Sequence, residues 1–117
     1  MTLTPNPQPL TPVSRASIRA WLAARQPEPP ADLAAKLAQC VDAAPEAVLA
    51  GGSVPEVIGA LGTWLLQSVV ERQRTAHDTA MDLLAADAFV TYAFEAASEE
   101  GTDVTGLANQ LLTKVRA

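Results

Sequence analysis

Residues 63–100 read TWLLQSVVERQRTAHDTAMDLLAADAFVTYAFEAASEE and contain neither Gly nor Pro. Nothing in this run breaks a helix, so it is read as helical throughout. Its apolar content falls into two parts. Trp64, Leu65, Leu66, Val69 and Val70 close the first, and Met81 opens the second. Between them lie Glu71, Arg72, Gln73, Arg74, Thr75, His77 and Asp78, a polar stretch with two consequences. Either one helix of more than 40 residues runs from Val54 to Glu99, about 60 Å long, and requires a partner chain to cover it. Or the chain turns near Thr75 to Asp78, with one of those two residues capping the helix that follows. The turn is the preferred reading, because both residues are good caps, and it closes the domain on itself.

Upstream, Ser53-Val54-Pro55-Glu56 matches a capping box, in which Ser53 and Glu56 each satisfy a backbone N–H of the first turn. Val57, Ile58, Leu61, Trp64, Leu65, Leu66, Val69 and Val70 follow with almost no polar face, so this helix is expected to be surrounded. Gly59 and Gly62 each cost about 1 kcal/mol relative to Ala, a cost offset when a second helix approaches closely. Downstream, Met81, Leu84, Ala85, Ala88 and Tyr92 mark one face, and Leu83, Val90, Phe94 and Ala97 a second. Only Asp87, Thr91, Glu95 and Ser98 keep a polar strip. Gly101 reads as the C-terminal cap, and Thr102 or Asp103 starts a last helix with the stripe Val104, Leu107, Leu111 and Val115. Lys114 and Arg116 complement its dipole.

Further toward the N-terminus the chain is punctuated by proline. Residues 1–11 alternate Pro5, Pro7 and Pro9 with small polar residues and read as a mobile arm. Thr11-Pro12 is a helix start. The helix it opens carries Val13, Ile18, Trp21 and Leu22 on one side and Arg15, Arg19 and Arg25 mostly on the other, and it stops at Pro27. Pro27-Glu28-Pro29-Pro30 is a stiff spacer. Beyond it, Leu33, Leu37, Cys40, Val41 and Ala44 form one helical stripe while Lys36, Gln39 and Asp42 face away. Pro45 opens a short turn through Leu49 that Gly51-Gly52 closes. The expected fold is therefore all-α. It is a compact bundle of about five helices, roughly 12–26, 31–44, 54–75, 78–100 and 103–116, in one domain spanning 12–117.

Composition agrees: 23 Ala and 14 Leu against five aromatic residues favour helix over sheet. A net charge of −5 speaks against nucleic acid as the partner. The charge is uneven, with three arginines and no acid in the first 26 residues and an acidic excess over Glu71 to Asp103. Such patches can meet within one chain or between two. A lone cysteine, Cys40, excludes an intrachain disulfide. The first residues lack the basic and apolar regions of an export signal. Val57 to Val70 is too short to cross a bilayer. A cytoplasmic protein is the expectation.

For chemistry, His77 is the sole histidine, near Glu71, Arg74, Asp78 and Asp82. On a helix these form a salt-bridged face or polar hinge. They lack the Glu-x-x-His or His-x-x-x-His spacing of a helical metal site, and no cofactor is expected. Cys40 lies on an apolar stripe, away from any histidine in sequence, which suits a structural thiol. Gly51-Gly52-Ser53 lacks the lysine and spacing of a phosphate loop. Residues 83–95, LLAADAFVTYAFE, are similar in texture to a helix of trans-prenyltransferases. Those enzymes use Asp-Asp-x-x-Asp metal motifs, which residues 77–82 do not contain, and no function is carried over. Trp21, Trp64, Tyr92 and Phe94 are candidates for an interface or for lining a pocket. The expected function is a non-enzymatic, self-associating interaction protein, a homodimer. A ligand-binding or regulatory domain and an accessory subunit of a larger complex are the alternatives.

Overall fold

In a computed structural model, residues 13–50, 52–71, 76–101 and 104–116 are described, the side chains of 76–78 and 114–116 excepted. These residues form six helices and no strand: α1 (Arg15–Ala23), α2 (Ala31–Ala43), α3 (Glu46–Leu49), α4 (Val54–Glu71), α5 (Ala76–Glu100) and α6 (Val104–Arg116). The all-α bundle is as expected, with the Pro45 turn as α3. Among the described residues, no helix is long and apolar enough to cross a membrane.

The uninterrupted run at 63–100 does turn. Helix α4 stops at Glu71, α5 starts at Ala76, and the two fold back into an antiparallel hairpin that is the most extensive helix–helix contact among the described residues. Of the two expected caps, Thr75 lies outside the described residues. Asp78 is in the first turn of α5, past the cap position.

Glycine sets how closely the hairpin packs. A Cβ on Gly62 would sit 3.0 Å from Val90 Cγ2 and 3.2 Å from both the Ala86 carbonyl oxygen and Phe89 Cβ. A Cβ on Gly59 would meet Leu111 of α6. The expected close approach of helices thus occurs twice, on two sides of α4. Around this pair, Val57, Ile58, Leu61 and Leu65 of α4 bury with Ala85, Phe89, Ala93 and Ala97 of α5. Helix α2 adds Leu33, Leu37, Cys40 and Val41, and α6 adds Leu107 and Leu111.

The local signals before α4 and after α5 form as expected. Ser53 N–H donates to Glu56 Oε1 at 3.0 Å and Glu56 N–H to Ser53 Oγ at 3.3 Å, completing the capping box. Gly101, at φ 71°, ends α5. Helix α1 departs from expectation at both ends. It begins at Arg15, because Ser14 and Ser17 cap it reciprocally. It ends at Ala23, because the Ala24 and Arg25 N–H groups turn back to the Trp21 and Leu22 carbonyls in a tightened last turn. The Gln26–Pro27 peptide bond that follows is cis.

Candidate functional site

Trp21 of α1 and Arg25, four residues on and just past the end of that helix, meet Tyr92, Glu95 and Glu99 of α5. The Trp21 and Tyr92 rings stand edge to face, 6.0 Å between centroids at 77°. The Arg25 guanidinium lies 3.5 Å above the Trp21 ring centroid. It donates 2.8 Å hydrogen bonds to Glu95 and Glu99, while its Nε donates to the Trp21 carbonyl. Burial disfavours the charge on Arg25, but the hydrogen bonds to Glu99 and Glu95 outweigh it, and the guanidinium is held more basic than usual. Burial, and then the nearby Glu95 carboxylate, push the Tyr92 hydroxyl above its ordinary value against the pull of Arg25. These contacts tie the C-terminal end of α1 to α5.

The four aromatic candidates do not come together. Trp64 and Phe94 are half-buried against the core on α4 and α5, and neither makes a ring contact with the Trp21–Tyr92 pair.

The polar-hinge candidates also separate. Glu71 is the exposed last residue of α4, Arg74 lies outside the described residues, and His77 and Asp78 open α5. Asp82 is fully buried and faces α2, where Lys36 Nζ lies 2.5 Å from its Oδ1. Two expectations change here. A face running Glu71, Asp78, Asp82 requires one continuous helix, and the turn breaks it. Lys36 was expected to point away from the core, but it sits at the edge of the Leu33–Leu37–Cys40 stripe, and its alkyl stem reaches across to α5.

The three arginines of the basic N-terminal segment find carboxylates within the chain. Arg15 donates to the Val41, Asp42 and Ala44 carbonyls and to Glu46, serving the unsatisfied C-terminal end of α2. Arg19 pairs with Asp42. The acidic segment from Glu71 to Asp103 supplies only the partners of Arg25, Glu95 and Glu99; Asp42 and Glu46 lie outside it, and the charge pattern of the sequence does not point to them. Cys40 is buried in the α2 stripe. Among the described residues, no three of His, Cys, Asp and Glu converge as a metal site.

Two open spaces flank α1. One, of about 460 Å³, lies between α1, the proline spacer and α2. The other, of about 780 Å³, lies between α1 and α3. Neither is lined by Trp21, Trp64, Tyr92 or Phe94. No protein-family model, curated protein or solved structure matches this chain.

Proposed function

We propose that the protein is a non-enzymatic interaction module that pairs with a second copy of itself through the face of the α4–α5 hairpin beside α6. One observation carries this reading: large apolar side chains are left to solvent there. Val70 is 79 % exposed, Leu83 44 % and Leu112 of α6 54 %. Helical periodicity supports placing them together. In an antiparallel hairpin joined through Gly62 and Val90, Leu66 and Val70 flank the contact on the same side as Leu83 and Phe94. Leu111 packs over Gly59 on that side too, so α6 covers the lower half of the face and leaves the turn end open. Exposed apolar side chains grouped on one face in this way support an interaction site there.

Because the hairpin closes on itself, pairing is not needed to cover the two apolar segments. It is a surface association, weaker than an intermolecular core. The net charge of −5 opposes it, so added salt strengthens it. The buried Cys40 thiol suits a cytoplasmic setting.

The test is light scattering on the eluting protein, as a function of concentration, for the wild type, Val70→Glu and Leu83→Glu. The wild type is expected to move from monomer to dimer by about 100 μM, where both variants stay monomeric with unchanged helical circular dichroism. A wild type monomeric at that concentration, or a dimer indifferent to both variants, overturns the reading.

A further inference from the structure

The described cations are already committed. Arg15, Arg19, Arg25 and Lys36 each meet a carboxylate, whereas Glu28, Asp32 and Asp87 take part in no ion pair among the described residues. Charge brought by a ligand therefore meets a negative remainder. One of these carboxylates, Glu28, stands at the 460 Å³ cleft between α1 and α2. Its walls are Leu22 and Ala23 of α1 and Ala34, Leu37 and Ala38 of α2, with Pro29 across one end. The other charged group at the cleft, Arg19, is neutralised by Asp42.

We propose that this cleft binds a small apolar amine. Its hydrocarbon body lies on the alanine and leucine walls, and its ammonium group lies against Glu28. The volume falls in the range of small-molecule sites, about 300 to 1,000 Å³, and the walls are apolar with few polar groups, as such sites require.

The cleft is a built feature, because α1 is held at both ends independently of what lies between. At its start, Arg15 grips the carbonyls that close α2. At its end, Arg25 grips Glu95 and Glu99 of α5. Opposite the span between these anchors, α2 presents Ala31, Ala34 and Ala38, whose short side chains leave space that α1 cannot move in to fill. A carboxylate ligand would find only Arg19, already paired, and would meet Glu28. A neutral ligand would keep the apolar contact and lose the ion pair.

The experiment titrates the full chain with 4-phenylbutylamine, 4-phenylbutanol and 4-phenylbutyrate, following amide resonances by NMR. The amine is expected to shift Ala31, Ala34 and Ala38 saturably. It should bind about two- to fivefold more tightly than the alcohol, the ratio an exposed ion pair supplies, with the butyrate weakest. Ala34→Leu fills the cleft from an exposed helical position and should abolish these shifts. Glu28→Gln leaves the walls intact and should make amine and alcohol equal. The proposal is overturned by shifts that do not saturate by about 10 mM amine, by saturable shifts that survive Ala34→Leu, or by an amine preference that survives Glu28→Gln. The oligomer measurement above uses a different face, so the two readings fail separately.

Discussion

Replacing Gly62 with Ala and Gly59 with Ala makes the same chemical change three residues apart on one helix, and the two variants are expected to change stability in opposite directions. Each begins with a gain of about 1 kcal/mol, because Ala loses less backbone entropy than Gly in a helix. At Gly62 the new Cβ meets Val90 Cγ2 at 3.0 Å, the Ala86 carbonyl oxygen at 3.2 Å and Phe89 Cβ at 3.2 Å. The last two atoms move only if α5 itself moves, and overpacking of that kind costs about 1 to 3 kcal/mol. The net expectation is a loss of about 1 kcal/mol, or about 3 to 6 °C in Tm for a chain of this size. At Gly59 the closest atom, 2.7 Å away, is Leu111 Cδ2, the end of a flexible side chain that a change of rotamer can withdraw. Most of the propensity gain should therefore survive, and Gly59→Ala should match or exceed wild-type stability. Urea and thermal unfolding followed by circular dichroism measure both. A Gly62→Ala variant more stable than the wild type would refute the claim that the hairpin is packed at backbone contact there.

Lys36→Met should cost about 3 kcal/mol in urea unfolding, because it takes away the ammonium facing a buried carboxylate, while the double change with Asp82→Leu should recover most of that loss. Arg15→Met should cost about 1 to 2 kcal/mol by leaving the terminal carbonyls of α2 without donors, and Arg15→Lys should restore little of it, since one ammonium cannot reach three carbonyls and Glu46 as a planar fork does. The hydroxyl of Tyr92 should ionise above its ordinary value of 10.0 in an absorbance titration, and Arg25→Gln should raise it further by removing the one opposing charge. Because that value is raised on folding, its stabilising contribution is complete below the unfolded value and is lost as pH rises through the folded one. A titration at or below the ordinary value would contradict the buried Tyr92 environment.

Signals that act over three or four residues were legible in the sequence. The Ser53–Glu56 capping box, the Gly101 cap, the Pro45 turn and the stripe through Leu33, Leu37 and Cys40 depend on backbone geometry and helical period, which a short window contains. The two glycines of α4 were legible as close approaches for the same reason. The start of α1 differs from the Thr11-Pro12 signal, which lies outside the described residues: the reciprocal bonds of Ser14 and Ser17 begin the helix at Arg15.

Whatever depends on how helices are rotated against one another was decided by the tertiary structure. The sequence left the run 63–100 open between a straight helix and a hairpin, since its polar middle suits either. The packing of Gly62 against Ala86 and Phe89 selects the hairpin. The same rotation carries Asp82 inward to Lys36, brings Trp21 to Tyr92, and sends Trp64 and Phe94 elsewhere. Charge pairing between Arg25 and Glu95 or Glu99 spans some 70 residues of chain, and no periodicity links positions so far apart. By itself the sequence determined roughly where the helices lie and, for α2, the stripe it buries; for α5 it marked Leu83 and Leu84, which are exposed, and passed over Phe89, which is fully buried. Tertiary packing determined which stripe meets which, because that choice rests on side-chain volumes and backbone approach summed over the whole interface.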